Sequence, residues 1–271
     1  MLQKISILLF SYFIFNSVDA QIQIGQPLLG QSSIRGTLQI KFNGGTGTAF
    51  QYKGKDSRSY LITAKHIFKK RFKRSLNSGN KLKYFYYDSL AFTDGNRVDL
   101  QIYYSGDWHN INANLYFDSD KYDVAVLQTE IPMQGNNYNL TAEGNEVVIG
   151  QDCYFIGYPL GLRSSLTISL YPMPFIRKGI ISAMGSPGEK FPHTIYIDGH
   201  NTYGFSGGPL LYYDINKRAF TVLGVISSYL PQRNHHYKDD GTDEITEENS
   251  GIMEVCNIEC VKDILKRLAA L

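Results

Sequence analysis

The sequence has only three cysteines, a single tryptophan and a formal net charge of +2. Cys153, Cys256 and Cys260 are too few to form the disulfide framework that small secreted domains rely on. Their odd number leaves at least one thiol unpaired within a monomer. They read as small buried hydrophobes, with one disulfide left open as a possibility. No Cys/His spacing resembles a zinc site, and His235, His236 and Asp239 read as exposed loop residues, so no metal or other cofactor is expected. The near-zero charge gives no electrostatic argument for a nucleic-acid partner. Helical periodicity is scarce, and no solenoid-type repeat is present.

The first residues form the one long apolar run. Lys4 precedes a mostly apolar stretch from Ile5 to Phe15, shorter than the roughly 20 residues of a spanning helix. Val18-Asp19-Ala20 ends it on a small residue. This pattern predicts a signal peptide over 1–20, a mature start at Gln21, an exported protein and no membrane span after removal. An uncleaved anchor is the competing reading. Residues 21–32 read as a loose leader.

The remainder is rich in tyrosine and phenylalanine, which favour strands. Between Ser33 and Glu130, strands are expected at Thr37–Phe42, Thr46–Tyr52, Tyr60–Ala64, Leu82–Tyr87, Asp99–Tyr104, Ala113–Phe117 and Val124–Gln128. Gly, Asn and Asp punctuate them as turns require. Pro132 to Asn145 reads as a linker. A second set follows at Cys153–Gly157, Met173–Ala183, Thr194–Asp198, Pro209–Tyr213, Phe220–Ser228 and Gly251–Val255. Asn257 can cap a helix running from Ile258 to Ala270, with Val261, Ile264, Leu265 and Leu268 on one face. The basic run Lys69–Arg74 and the acidic stretch 230–250 read as solvated loops.

The chemistry concentrates in Gly204-Phe205-Ser206-Gly207-Gly208-Pro209. Glycines permit a tight turn and close approach of a substrate to the main chain. Such a turn can present a hydroxyl and aim backbone N–H groups at one point, as acyl transfer requires. Gly204-x-Ser206-x-Gly208 also fits the nucleophile elbow of α/β-hydrolases, which would make the protein an esterase. That fold needs its acid and histidine after the serine. The only histidines there are His235 and His236. Upstream, Thr63-Ala64-Lys65-His66 ends a short apolar strand, and Asp123 opens Val124-Ala125-Val126-Leu127. The order His66, Asp123, Ser206 is that of the chymotrypsin arrangement.

With Gly45-Thr46-Gly47-Thr48-Ala49-Phe50 and Gly157-Tyr158-Pro159, these pieces resemble the trypsin-like, chymotrypsin-fold serine proteases. The resemblance is to the small bacterial type without a PDZ domain and covers most of residues 33 to 265. It implies an all-β fold: two packed six-stranded antiparallel β-barrels, over 33–131 and 146–256, with the linker 132–145 between them and a C-terminal helix in 257–271. It implies a serine endopeptidase acting on polypeptides through an acyl-enzyme, with Ser206 as nucleophile, His66 as base and Asp123 orienting it. The N–H groups of Gly204 and Ser206 are the implied oxyanion hole. Ser227, Ser228 and Tyr229 lie on the implied substrate-pairing strand, and Ser227 is also implied to support Asp123. His200 falls where the family places the pocket floor. Its not being an aspartate argues against Lys or Arg at P1 and leans toward acidic or non-basic residues, with an aromatic pocket from Tyr203 and Tyr229 equally open. Phe205 stands where digestive relatives carry an aspartate that pairs with a freed N-terminus, so packing of Phe205 into the second barrel is expected instead. A protease-fold binding protein that no longer cleaves is the alternative from another functional class.

Overall fold

The computed structural model describes residues 29–30, 34–78, 81–90, 92–118, 122–130, 138, 140, 147–164, 167–168, 171–185, 193–237 and 243–271. The expected signal peptide, and the linker apart from residues 138 and 140, lie outside the described residues. The chain divides into residues 1–30 and 31–271, and the fold is that of the second unit.

The first half contributes β1 (Thr37–Phe42), β2 (Gly45–Lys53), β3 (Ser59–Thr63), β4 (Lys69–Ser78), β5 (Lys81–Leu90), β6 (Asn96–Tyr104), β7 (Asp107–Tyr116) and β8 (Ala125–Thr129). Six of these close an antiparallel barrel in the order β1-β2-β3-β8-β7-β6. Alternation explains the closure. In β6, Val98, Leu100 and Ile102 are buried while Arg97 and Asp99 face out; in β7, Ala113 and Leu115 point in while Asn110, Asn112 and Asn114 point out. The inward set joins Leu38, Ile40, Leu61, Phe68 and Leu127 in one core. Each Val, Leu, Ile or Phe side chain among them contributes about 1.5–3 kcal/mol by leaving water.

Two expectations are corrected here. Leu82–Tyr87 belongs to β5, which pairs with β4 in a separate two-stranded hairpin rather than entering the barrel. The basic run Lys69–Arg74 is the start of β4, not a loop. Strand pairing is made by the backbone, and a hairpin outside the barrel tolerates charges that a barrel strand could not bury.

The second half contributes β9 (Asp152–Gly157), β10 (Thr167–Ile168), β11 (Tyr171–Pro172), β12 (Phe175–Met184), β13 (Thr194–Asp198), β14 (Pro209–Asp214), β15 (Ala219–Tyr237) and β16 (Asp243–Asn257). The barrel closes as β12-β13-β16-β15-β14-β9. The stretch read as the loop 230–250 is instead mostly a continuation of β15 and β16, paired from Pro231↔Asn249 to Tyr237↔Asp243. Opposite charges meet across it, with Arg233 Nε 2.9 Å from Glu247 Oε1 at a directly paired position. An all-β architecture of this kind rules out the α/β-hydrolase reading of the glycine-serine motif.

The chain closes with helix α1 (Ile258–Arg267). Asn257 accepts from the Glu259 N–H at 3.0 Å. Ile258, Val261, Ile264 and Leu265 are buried. The helix ends before Ala270, whose carbonyl accepts from Lys55 N–H of the first barrel at 2.9 Å. The tail therefore ties both barrels rather than resting on the second alone.

Candidate active site

Strand pairing brings His66 and Asp123 together. In the antiparallel β3–β8 pair, Thr63 faces Ala125. Three residues forward from Thr63 and two back from Ala125 bring the chain to His66 and Asp123 at one barrel edge. A single 3-10 turn, Lys65–Phe68, turns the imidazole out. Asp123 accepts from both ends of His66: Oδ1 from the backbone N–H at 2.8 Å and Oδ2 against ring Nδ1 at 2.7 Å. Ser227 Oγ donates to the same Oδ2 at 2.5 Å. Burial pushes the Asp123 carboxyl up, but the hydrogen bonds from His66 and Ser227 and the His66 charge outweigh it and hold the group below its ordinary range. An Nδ1 facing a carboxylate leaves Nε2 free to accept a proton on the cleft side.

Ser206 arrives from the second barrel. Pro209 begins β14 opposite Val225, and Gly207 N–H donates to Ile226 O at 2.8 Å. This pins the preceding turn against the middle of β15. Ser206 Oγ donates to Ser227 O at 3.3 Å. Among the described residues it makes no hydrogen bond to His66. Ser227 thus touches both halves of the site, the carboxylate with its hydroxyl and the serine with its carbonyl.

Glycine is required in this turn. Gly204 has φ +99°, and a Cβ there would lie 2.1 Å from Tyr158 O. Gly207 has φ +84°, and its Cβ would lie 2.1 Å from Thr63 Oγ1. The carbonyls of the turn are occupied. Tyr203 O accepts from Leu160 N–H at 2.5 Å and Phe205 O from Gly208 N–H at 2.8 Å. In a trans peptide the N–H points opposite the carbonyl, so the N–H groups of Gly204 and Ser206 turn away from these interior partners. Among the described residues neither N–H is taken by a protein acceptor. Phe205 is fully buried and packs edge-on against Phe155 of the second barrel, centroids 5.2 Å apart.

His66, Asp123 and Ser206 line one cleft of about 640 Å³, together with Tyr203, Ser227, Ser228 and Tyr229. The Tyr203 phenol beside it pushes the Tyr229 phenol up. His200 is not brought into this cleft. Its side chain is exposed, and its carbonyl accepts from Arg177 Nη1 at 2.5 Å. The residue that does turn inward is Asn201, only 3% exposed, whose amide donates to Ser228 O at 3.4 Å. Glu254 also lines the cleft and accepts from Ser228 Oγ. Sequence reading missed Asn201 and Glu254, because an Asn after a strand and a Glu within one carry no local mark of a cleft. The three thiols are unpaired and buried. Burial pushes Cys153 up to about 12, and the hydrogen bond to Cys260 together with burial raises Cys256, which keeps both protonated and unreactive.

Residues 45–218 match the family model of the trypsin-like peptidase domain, a span that holds His66, Asp123 and Ser206. The chain belongs to the trypsin-like peptidase family. It is similar to the chloroplastic Protease Do-like 5 of Arabidopsis thaliana, 34% identical over 94 residues, which are 33% of this chain and 26% of that protein. Among solved structures it resembles the HtrA-type protease AlgW with tripeptide, with a TM-score of 0.53 at 16% identity, covering 88% of this chain and 61% of that one. It also resembles the serine endoprotease from Yersinia pestis, with a TM-score of 0.52 at 14% identity, covering 90% and 68%. At these identities the structural likeness speaks for the fold. The chain thus spans about a quarter of the curated relative and about three fifths of the first structural one.

Proposed function

We propose that this trypsin-like peptidase is an exported serine endopeptidase that cleaves polypeptides through Ser206, His66 and Asp123. The observation that carries the reading is the chain of hydrogen bonds from His66 Nδ1 through the Asp123 carboxylate to Ser227, ending in the cleft that Ser206 lines. His66 Nε2 takes the Ser206 proton as Oγ attacks the scissile carbonyl carbon. Oγ–C forms, the carbonyl π pair moves to oxygen, and the N–H groups of Gly204 and Ser206 stabilise that charge. Collapse breaks the C–N bond, and the imidazolium gives its proton to the leaving amine. Water, deprotonated by His66, then attacks the acyl-enzyme, and the second collapse returns the proton to Ser206 and frees the acid. An extended substrate adds along β15 at Ser227, Ser228 and Tyr229 by main-chain pairing.

One observation favours the non-cleaving alternative: Ser206 Oγ points to the Ser227 carbonyl rather than to His66. The direction of Oγ is set by one serine torsion, and catalytic hydrogen bonds commonly tighten only when substrate is bound. A fluorophosphonate probe separates the readings. Covalent label on wild type and none on Ser206→Ala supports the peptidase, and a peptide-library digest by the same pair reports P1 preference. A folded wild type that resists the probe and leaves the library intact establishes the binding module. Export is tested by the N-terminus of the protein recovered outside the cytoplasm; a start at Gln21 is expected, and an intact 1–20 would remove the cleavage claim. Among the described residues, no helix is long and apolar enough to cross a membrane.

A further inference from the structure

Thr48 lies in β2 on the first barrel and is fully buried, yet most of its polar contacts lead across to the second. Its hydroxyl donates to Gly204 O at 2.6 Å and accepts from Tyr158 N–H at 3.1 Å. Its backbone N–H donates to Ser206 O at 2.9 Å. Its own carbonyl accepts from Thr63 Oγ1 at 2.6 Å, three residues before His66. With the Leu160 and Gly208 donors, every carbonyl from Tyr203 to Ser206 is held, and Thr48 holds two of the four.

The two it holds alternate with the two whose peptide N–H groups, those of Gly204 and Ser206, have no protein acceptor among the described residues. The Gly204–Phe205 peptide plane lies directly between the N–H of Gly204 and the N–H of Ser206. Fixing the Gly204 carbonyl fixes ψ of Gly204, a residue at φ +99° with no Cβ to limit its rotation. If that plane turns, the angle between the two N–H groups changes. The hydroxyl has a prepared seat: a Cβ on Gly157 would come within 2.8 Å of Thr48 Oγ1 and 2.8 Å of Phe205 Cδ1. An isosteric methyl in that seat would leave a buried carbonyl and a buried N–H without partners.

We propose that Thr48 is a positioning residue: from the first barrel, its hydroxyl holds the oxyanion turn in register, so the hole is formed in the folded chain without a liberated N-terminus. The inference rests on Ser206 acting as the nucleophile, and its test separates the two. Thr48→Val keeps shape and removes both hydroxyl bonds; Thr48→Ser keeps the hydroxyl. Loss of a full oxyanion donor costs about 10²–10³ in turnover, so misalignment of the pair in Thr48→Val is expected to lower kcat by about 10- to 100-fold. KM should stay within about threefold, because the lost interaction belongs to the transition state. A peptide trifluoromethyl ketone, which mimics the tetrahedral adduct, should weaken by the same factor as kcat/KM. Thr48→Ser should restore both. Amide hydrogen exchange over 204–207 should quicken in Thr48→Val and not in Thr48→Ser.

A folded Thr48→Val with wild-type kcat, inhibitor affinity and exchange overturns the proposal. So does a rise in KM with kcat unchanged, since that marks a substrate contact. Should Thr48→Val not fold, Thr48→Ala is compared with Thr48→Ser on the same readouts. If the wild type neither labels nor cleaves, the peptidase reading fails, while the exchange comparison still decides whether Thr48 holds the turn.

Discussion

Asp123→Asn changes one atom group and tests the hydrogen-bond chain of the site. Both carboxylate oxygens accept in the folded protein: Oδ1 from His66 N–H, Oδ2 from Ser227 Oγ and against His66 Nδ1. An asparagine has one acceptor oxygen, so its NH₂ must face one of these groups. Facing the backbone N–H, it sets donor against donor and loses a charge-assisted bond, a class worth about 1.5–3 kcal/mol when buried and less at this partly exposed site. Facing Nδ1, it forces the proton to Nε2, and His66 can no longer take the Ser206 proton. The second orientation keeps the backbone bond and is expected to dominate. In a serine triad this exchange lowers turnover about 10⁴-fold, equal to roughly 5.4 kcal/mol at 1.36 kcal/mol per tenfold. The assay is kcat on a cleavable peptide, with circular dichroism to establish that the variant is folded. Ser206 labelling by a fluorophosphonate should slow in parallel. Near-wild-type kcat in the folded variant would refute the assignment of Asp123 and the tautomer argument with it.

The lowered Asp123 carboxyl predicts a stability term with a definite sign. A folded-state value below the unfolded 3.8 means the stabilisation is fully present above 3.8 and is lost as pH falls toward the folded-state value. Urea midpoints measured from pH 6 downward should show that loss in wild type and lack it in Asp123→Asn; equal acid sensitivity of the two would contradict the shift. Gly207→Ala places a Cβ 2.1 Å from Thr63 Oγ1 and 2.2 Å from Thr48 O at φ +84°, so it should cost at least about 2–3 kcal/mol or prevent folding, and a melting temperature within a degree of wild type would rule out the described turn. His200→Ser should leave the P1 profile of a peptide-library digest unchanged, because the side chain is exposed and outside the cleft; a shifted profile would put His200 at the pocket after all. Asn257→Ala should cost about 1 kcal/mol by removing the cap on α1, read as a shift in the urea midpoint.

What could be read from sequence was the chemistry that is local. The glycines around Ser206 announce a turn because their positive φ is a property of that turn alone. Asp123 and His66 stand at the ends of apolar runs, and pairing of those runs suffices to bring them together. The errors fall where the deciding partner is distant. Leu82–Tyr87 has the composition of a barrel strand; only its pairing with β4 places it outside. The stretch 230–250 is polar enough for a loop, yet cross-strand pairs such as Arg233 and Glu247 let it continue as a hairpin. Counting back six residues from Ser206 locates His200 in the chain but not the direction of its side chain, which follows from how the segment after β13 meets Arg177. Thr48 is the limiting case. A threonine between Gly47 and Ala49 is an ordinary strand residue by propensity, and its hydroxyl acquires a role only through an acceptor 156 residues away. The turn 204–207 is therefore a joint product of both barrels. Its glycines grant it the freedom to adopt the shape, and a hydroxyl from the opposite barrel removes that freedom once the two halves have packed.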